Sequence, residues 1–277
     1  MSSPSSMLAG VRHVVLDMDG TLYRGGTLFP FTRPFLAQLR PLGIGYTFLT
    51  NNSSRSSADY LAHLARLDIA TDPAQLHTSA NATVDWLRAH RPGVRRLFAL
   101  CTPSLAAELR AAGYELTADD PADAPDAVLV AFDTTLDYAR LCRTAHWIAH
   151  GLPYFATHPD HICPTDEPTV LVDCGSICAA LGKATGRAPD RVFGKPDPEM
   201  LTGIRRRHQL AAREIAMVGD RIYTDMAMAR AAGCVSVLVL SGEATADDAR
   251  RAGTAPDFVL TDIGELGLLL QASRSGD

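Results

Sequence analysis

Apolar and polar positions alternate along this chain in blocks. Short apolar runs at residues 11–16, 44–49, 214–218, 235–240 and 258–260 predict strands. Stretches with helical periodicity at 32–42, 56–67, 224–232 and 246–252 predict helices between them. Strands that read as continuous apolar runs, split by helices, indicate a parallel sheet covered on both faces. The middle of the chain repeats the pattern. Strands are predicted at 97–100, 127–132 and 153–156, and helices at 103–112, 137–150 and 175–185. The stretch 118–125, ADDPADAP, is a loop by its proline and aspartate content. The expectation is an α/β fold with a doubly wound, mostly parallel sheet in residues 11–79 and 190–277. A smaller α/β domain is inserted at 80–189. Residues 1–10, MSSPSSMLAG, have neither a basic start nor an apolar run, so a flexible start is expected in place of a signal peptide.

Composition closes several other readings. The chain has 277 residues, 47% of them hydrophobic and 21% charged, which suits a globular protein with a substantial core. A net charge of -5 argues against nucleic acid as a partner, since phosphate backbones call for a basic face. The cysteines at 101, 142, 163, 174, 178 and 234 follow no small-scaffold spacing. Reduced thiols in a cytoplasmic protein fit better than a disulfide framework. The apolar runs are too short to cross a membrane as helices. Trp86 and Trp147 sit on helical patterns and are expected in the core.

The candidate chemistry lies at strand ends. The 11–16 run stops at Asp17, followed by Met18, Asp19, Gly20 and Thr21. In an open parallel sheet, ligands bind beyond the carboxyl ends of the strands. Side chains two apart on extended backbone share a face, so these carboxylates crowd one volume and need a proton, a lysine or a metal ion between them. Thr50, Asn51 and Asn52 follow the 44–49 strand, and Asp220 and Asp225 follow the 214–218 strand. Lys195 precedes a helix expected to begin near 197. Singly, each could be a cap, a turn or a solvated charge. Their joint placement at strand ends makes that reading untenable for the set.

Taken together, Asp17-Met-Asp19-Gly-Thr21, Thr50-Asn51-Asn52, Gly-Lys195-Pro and Gly219-Asp220 with Asp225 resemble the four motifs of the haloacid dehalogenase superfamily of phosphohydrolases. The resemblance covers nearly the whole chain after residue 10. The interval from Asp17 to Thr50 holds one helix and one strand, whereas that from Thr50 to Lys195 far exceeds one βα unit. An α/β insertion in that place is similar to the inserted cap of the NagD-like subfamily. The resemblance implies Mg²⁺-dependent hydrolysis of a small phosphorylated metabolite through an aspartyl-phosphate. Asp17 would be the nucleophile and Asp19 the general acid and base. The Asp17 and Asp220 carboxylates and the Asp19 carbonyl would ligate Mg²⁺. Lys195 would neutralise nucleophile and phosphate, Thr50, Asn51 and Asn52 would hold phosphate oxygens, and Asp225 would orient Lys195 or a metal-bound water. The Gly25-Gly26 turn would carry a flap. The resemblance also allows a homodimer through the cap.

Two rivals remain at this point. A phosphotransferase or phosphomutase would pass the same aspartyl-phosphate to a second hydroxyl. A phospho-Asp signalling module would keep it, although the acid at Asp19 and the large insertion oppose that. Within the insertion, His158, His161 and Cys163 lie close in sequence, and a cap loop facing the substrate is expected there in preference to a metal site. NagD-like relatives often carry Asn-Pro-Asp where this chain has His158-Pro159-Asp160, and Pro-Gly-x-Gly where it has Val172-Asp173-Cys174-Gly175. One expectation is that Asp173 and Asp160 place negative charge near the leaving group, disfavouring carboxylate-bearing substrates and favouring sugar phosphates. The other is that Asp173 caps the following helix and faces solvent.

Overall fold

The computed structural model describes residues 4–165 and 169–274. In chain order its strands are β1 (His13–Asp17), β2 (Tyr23–Arg24), β3 (Thr27–Leu28), β4 (Gly45–Thr50), β5 (Leu76–Thr78), β6 (Arg96–Leu100), β7 (Glu115–Leu116), β8 (Ala127–Val130), β9 (Tyr154–Ala156), β10 (Ile162–Pro164), β11 (Val170–Val172), β12 (Arg191–Val192), β13 (Ile215–Gly219), β14 (Val235–Val239) and β15 (Phe258–Leu260). The chain divides into two units. The first runs to Leu49, takes in Leu67–Leu76 and resumes at Lys195; the second is Thr50–Arg66 with His77–Gly194.

The first unit is built on a sheet of order β15-β14-β13-β1-β4-β5. β1 pairs in parallel with β13 on one side and β4 on the other. Every residue of β1, β13 and β14 is buried, as strands covered on both faces must be. The chain leaves β1 in opposite directions towards β4 and β13, so the switch point of this doubly wound sheet lies between β1 and β13. Asp17 ends one of these strands and Asp220 directly follows the other. At the opposite edge, His13 Nε2 and Thr47 Oγ1 are 2.9 Å apart, and the His13 ring lies 4.3 Å from that of His208. Burial, then His208, lowers the His13 pKa to about 4, so the ring is neutral at pH 7.

The second unit carries a sheet of order β12-β9-β8-β6-β7, with each pairing parallel. Alternate residues of β6 and β8 feed two apolar clusters. Leu97, Ala127 and Leu129 belong to one; Phe98, Leu100, Val128 and Val130 belong to the other. Trp86 packs against the first cluster and Trp147 lies in the second, as the periodicity predicts. β10 and β11 form an antiparallel hairpin exposing Ile162, Val170, Leu171 and Val172. No helix among the described residues is long and apolar enough to cross a membrane.

Two expectations need correction. Residues Pro4–Ala9 are a helix, with Leu8 buried. Proline suits the first turn, where its missing N–H would be unpaired anyway, and the apolar residue anchors the turn. Residues 1–3 of the expected flexible start lie outside the described residues. The segment Thr50–Arg66, expected with the larger sheet, belongs to the second unit. Its polar side chains account for that. The Phe132 N–H donates to Ser53 Oγ at 3.0 Å, Thr102 Oγ1 donates to the Ser54 carbonyl at 2.9 Å, and Ser57 Oγ donates to Glu108 at 2.6 Å.

Candidate active site

The first unit gathers Asp17, Asp19, Lys195, Asp220 and Asp225. Lys195 is buried and paired with Asp17, and its Nζ lies 2.7 Å from Asp225 Oδ1. Burial opposes the ammonium charge, but Asp17 and then Asp225 more than restore it, so Lys195 stays charged with its pKa raised. Local backbone explains how Asp225 reaches this place. After β13 the chain makes a single wide turn over Ile222–Met226, and Arg221 N–H donates to Asp225 Oδ2 at 3.1 Å. Gly219 leaves room for that carboxyl group, because a Cβ there would meet it at 2.4 Å.

Asp17, Asp220 and Asp225 can each offer an oxygen within 4.8 Å of the others. Asp220 is buried, and its Oδ2 accepts a hydrogen bond from Glu243 N–H at 2.7 Å. Its Oδ1 has no hydrogen-bond partner among the described residues. Burial, then Asp17 and Asp225, push the Asp220 carboxyl up to about 8. Gly20, at φ +80°, and Gly242 flank this group; Cβ atoms there would stand 2.3 and 1.9 Å from Asp220 Oδ2. Arg221, its Nε 2.9 Å from Glu243 Oε2, also feels the charges of Asp17 and Asp220. Among the described residues, three buried carboxyl groups thus stand with Lys195 and Arg221, and the Asp220 Oδ1 oxygen is left without a hydrogen-bond partner. That donor set fits Mg²⁺, which prefers a few carboxylate oxygens and keeps several waters.

Asp19 is exposed, just beyond the strand end. Gly20 N–H donates to the Tyr23 carbonyl at 2.8 Å, which starts the β2–β3 hairpin. The Gly25-Gly26 pair makes its two-residue turn, with Gly25 at φ +56°. This is the place expected for the flap. Thr50 closes β4, one residue beyond Leu49, the partner of Asp17 across the ladder.

The second unit holds the other predicted residues. Asn51 Nδ2 donates to the Asp160 carboxylate at 3.2 Å. Asn52 Oδ1 accepts from Ser54 N–H at 2.9 Å, making a side-chain turn, while its amide reaches Cys163 Sγ at 3.8 Å. His158 is fully buried, with Nε2 2.8 Å from Asp173 Oδ1 and Nδ1 3.0 Å from Thr157 Oγ1. Burial opposes its protonation, yet its pKa is raised to about 9. Cys174 lies alongside, but burial holds its own thiol well above the ordinary range and therefore neutral. The charges that keep the imidazolium are those of Asp173 and Asp160.

Neither expectation for Asp173 fits this geometry in full. The residue does cap the helix Cys174–Thr185 through the Cys174 N–H, at 2.6 Å. It is buried and neutralised by His158, so it offers no free negative charge to a substrate and does not face solvent. The expected loop grouping of His158 with His161 and Cys163 also changes. His158 clusters with Asp160 and Asp173, and His161 is exposed. Sequence reasoning missed Glu243 and Gly242, although the strand-end rule that found Asp17 applies equally to the carboxyl end of β14.

The chain is similar to known proteins. Residues 14–115 match the family of haloacid dehalogenase-like hydrolases, and residues 192–266 match a HAD-hydrolase-like family. A 4-nitrophenylphosphatase from Thermotoga maritima is 38% identical, with 95% of this chain and 98% of that one superposed at a TM-score of 0.88. The ribonucleotide monophosphatase NagD of Escherichia coli is 28% identical over 94% of this chain and 99% of that protein. A glycerol phosphate phosphatase from Mycobacterium tuberculosis, in complex with magnesium, is 32% identical over 94% of this chain and 78% of that one, at a TM-score of 0.86.

Proposed function

Since this chain belongs to the haloacid dehalogenase-like hydrolases, as one of their NagD-like phosphatases, we propose that it hydrolyses a small phosphomonoester through a phosphorylated Asp17. The observation that carries the reading is the buried Lys195 between Asp17 and Asp225, beside an Asp220 oxygen with no hydrogen-bond partner among the described residues. Lys195, paired with Asp17, offsets negative charge where the nucleophile meets the phosphate. Asp17 attacks phosphorus; the new O–P bond forms as the ester O–P bond breaks. Asp19, exposed at the strand end, gives its proton to the leaving alkoxide. It then takes a proton from the water that attacks phosphorus, which releases phosphate and returns Asp17. Asp225 keeps the ammonium of Lys195 in place throughout.

The Asp17 and Asp220 carboxylates and the Asp19 carbonyl would hold Mg²⁺, which when bound supplies positive charge for the phosphoryl oxygens. The Thr50 hydroxyl and the backbone N–H groups that follow it would hold the transferred oxygens. Asn52 keeps a supporting part in that turn.

The substrate proposed is a hydroxyl-bearing phosphomonoester, a sugar or polyol phosphate. The burial of Asp173 withdraws the argument from charge, and support comes from the glycerol phosphate and ribonucleotide activities in the relatives' names. A phosphometabolite panel assayed with Mg²⁺, and again with the metal chelated, tests the reading. Phosphate release from sugar and polyol phosphates that stops on chelation is the expected result. Activity that survives chelation would sink it, and transfer to an added polyol in place of water would turn the protein into a phosphotransferase.

A further inference from the structure

The proposed cation ligand Asp220 is fixed from one side. Its Oδ2 rests on the Glu243 N–H, so the position of the other oxygen depends on where residues 241–243 stand. That loop has no ladder or helix of its own and is held by discrete bonds. Ala244 N–H donates to the Asp220 carbonyl at 3.1 Å, and Ser241 Oγ donates to the Gly20 carbonyl at 2.7 Å. From the β2–β3 hairpin, Arg24 Nη2 donates to the carbonyls of Ser241 and Gly242 at 3.2 and 3.4 Å. Gly242 lets the loop close on the carboxylate, and Arg24 grips the two carbonyls on either side of the Gly242 Cα.

We infer that Arg24 is a positioning residue for the cation site: it ties the hairpin to the loop that aims Asp220, so that cation binding and hairpin order support each other. The inference rests on the reading of Asp220 as a metal ligand. Arg24 is exposed, so the core does not depend on it. Coupling of this kind is reciprocal. Whatever Arg24 contributes to cation affinity, the bound cation returns as protection of the hairpin.

Charge alone predicts the opposite sign. Removing a cation near an acidic cluster tightens binding of a second cation. Positioning predicts weaker binding in Arg24→Ala despite the lost charge. It also predicts weaker binding in Arg24→Lys, which keeps the charge but, on a shorter side chain, does not bring a nitrogen to the place Nη2 holds between the two carbonyls.

The experiment titrates Mn²⁺ into the full chain by paramagnetic resonance, and follows amide exchange at 23–28 with and without the metal. Arg24→Ala, Arg24→Lys and Ser241→Ala should each raise the dissociation constant on the order of fivefold, the effect of one or two such hydrogen bonds. Thr27→Ala, on the same hairpin, should leave it unchanged. Wild-type hairpin amides should slow when Mn²⁺ is added, and those of Arg24→Ala should not. If Arg24→Ala binds as tightly as wild type or tighter while Asp220→Asn loses binding, the positioning role is wrong and the metal reading stands. If Asp220→Asn binds like wild type, the metal reading fails and takes the inference with it.

Discussion

Replacing His158 by alanine should destabilise the second unit, and the loss should depend on pH. The imidazole is fully buried against the Asp173 carboxylate, with its pKa raised from 6.5 to about 9. A group whose folded pKa lies above its unfolded value binds more protons in the native state. Its stabilisation is therefore complete below the unfolded pKa, near 6.5, and fades as pH rises through about 9. A shift of that size is worth at most about 3 kcal/mol at about 1.4 kcal/mol per unit, and less with the Cys174 thiol neutral. The alanine variant leaves Asp173 buried without its partner, a situation that costs about 3–5 kcal/mol when one member of a buried pair is removed. At pH 6 the variant should thus be about 3–5 kcal/mol less stable than wild type. Near pH 9.5 the difference should shrink by roughly 2 kcal/mol, because wild type has by then lost most of its imidazolium.

Urea unfolding followed by tryptophan fluorescence reads this directly. The chain has 2 tryptophans, Trp86 and Trp147, and both lie in the second unit. Taking the difference between variant and wild type at each pH cancels the other titrating groups. A loss below about 1 kcal/mol at pH 6, or a loss that does not change with pH, would refute the account of this pair.

Three further outcomes follow from the same geometry. Gly242→Ala should bind Mn²⁺ at least roughly tenfold more weakly with unchanged circular dichroism, since its Cβ would stand 1.9 Å from Asp220 Oδ2; equal binding would show that the loop can give way. Acidification from 6.5 towards 4 should weaken the first unit by up to about 3 kcal/mol, as the unfolded His13 takes a proton that the buried one refuses; His13→Gln should flatten that slope in thermal unfolding scans. Asp19→Asn should slow alkyl phosphates at least roughly tenfold more than 4-nitrophenyl phosphate, whose leaving group needs no proton; equal losses would remove Asp19 as the acid.

What the sequence revealed depended on how much pattern each element carries. β1, β13 and β14 were legible because a strand buried on both faces shows as an unbroken apolar run. β7 and β12, at two residues each, carry no period at all. The helix Ser79–His90 shows in the sequence only as the helical pattern around Trp86, with no bounds, because its apolar stripe is thin, although Thr78 and Asn81 form a capping box at its start. The terminal helix Ile263–Ala272 is apolar on nearly every side, which hides its period. Among site residues, Lys195 and Asp225 could be placed by motif, and their mutual distance follows from the turn at Ile222–Met226. Asp173 was misplaced for a different reason. Its buried partner, His158, is far enough away in sequence that only the fold brings the two together.

The central claim is that Asp17 is the nucleophile. The most direct test is steady-state phosphate release from 4-nitrophenyl phosphate by Asp17→Asn, in saturating Mg²⁺, with folding checked by circular dichroism. Asparagine keeps the shape and one oxygen but cannot attack phosphorus as a carboxylate does. The account predicts a fall in kcat of at least roughly a thousandfold. A variant that turns over within about tenfold of wild type would contradict it.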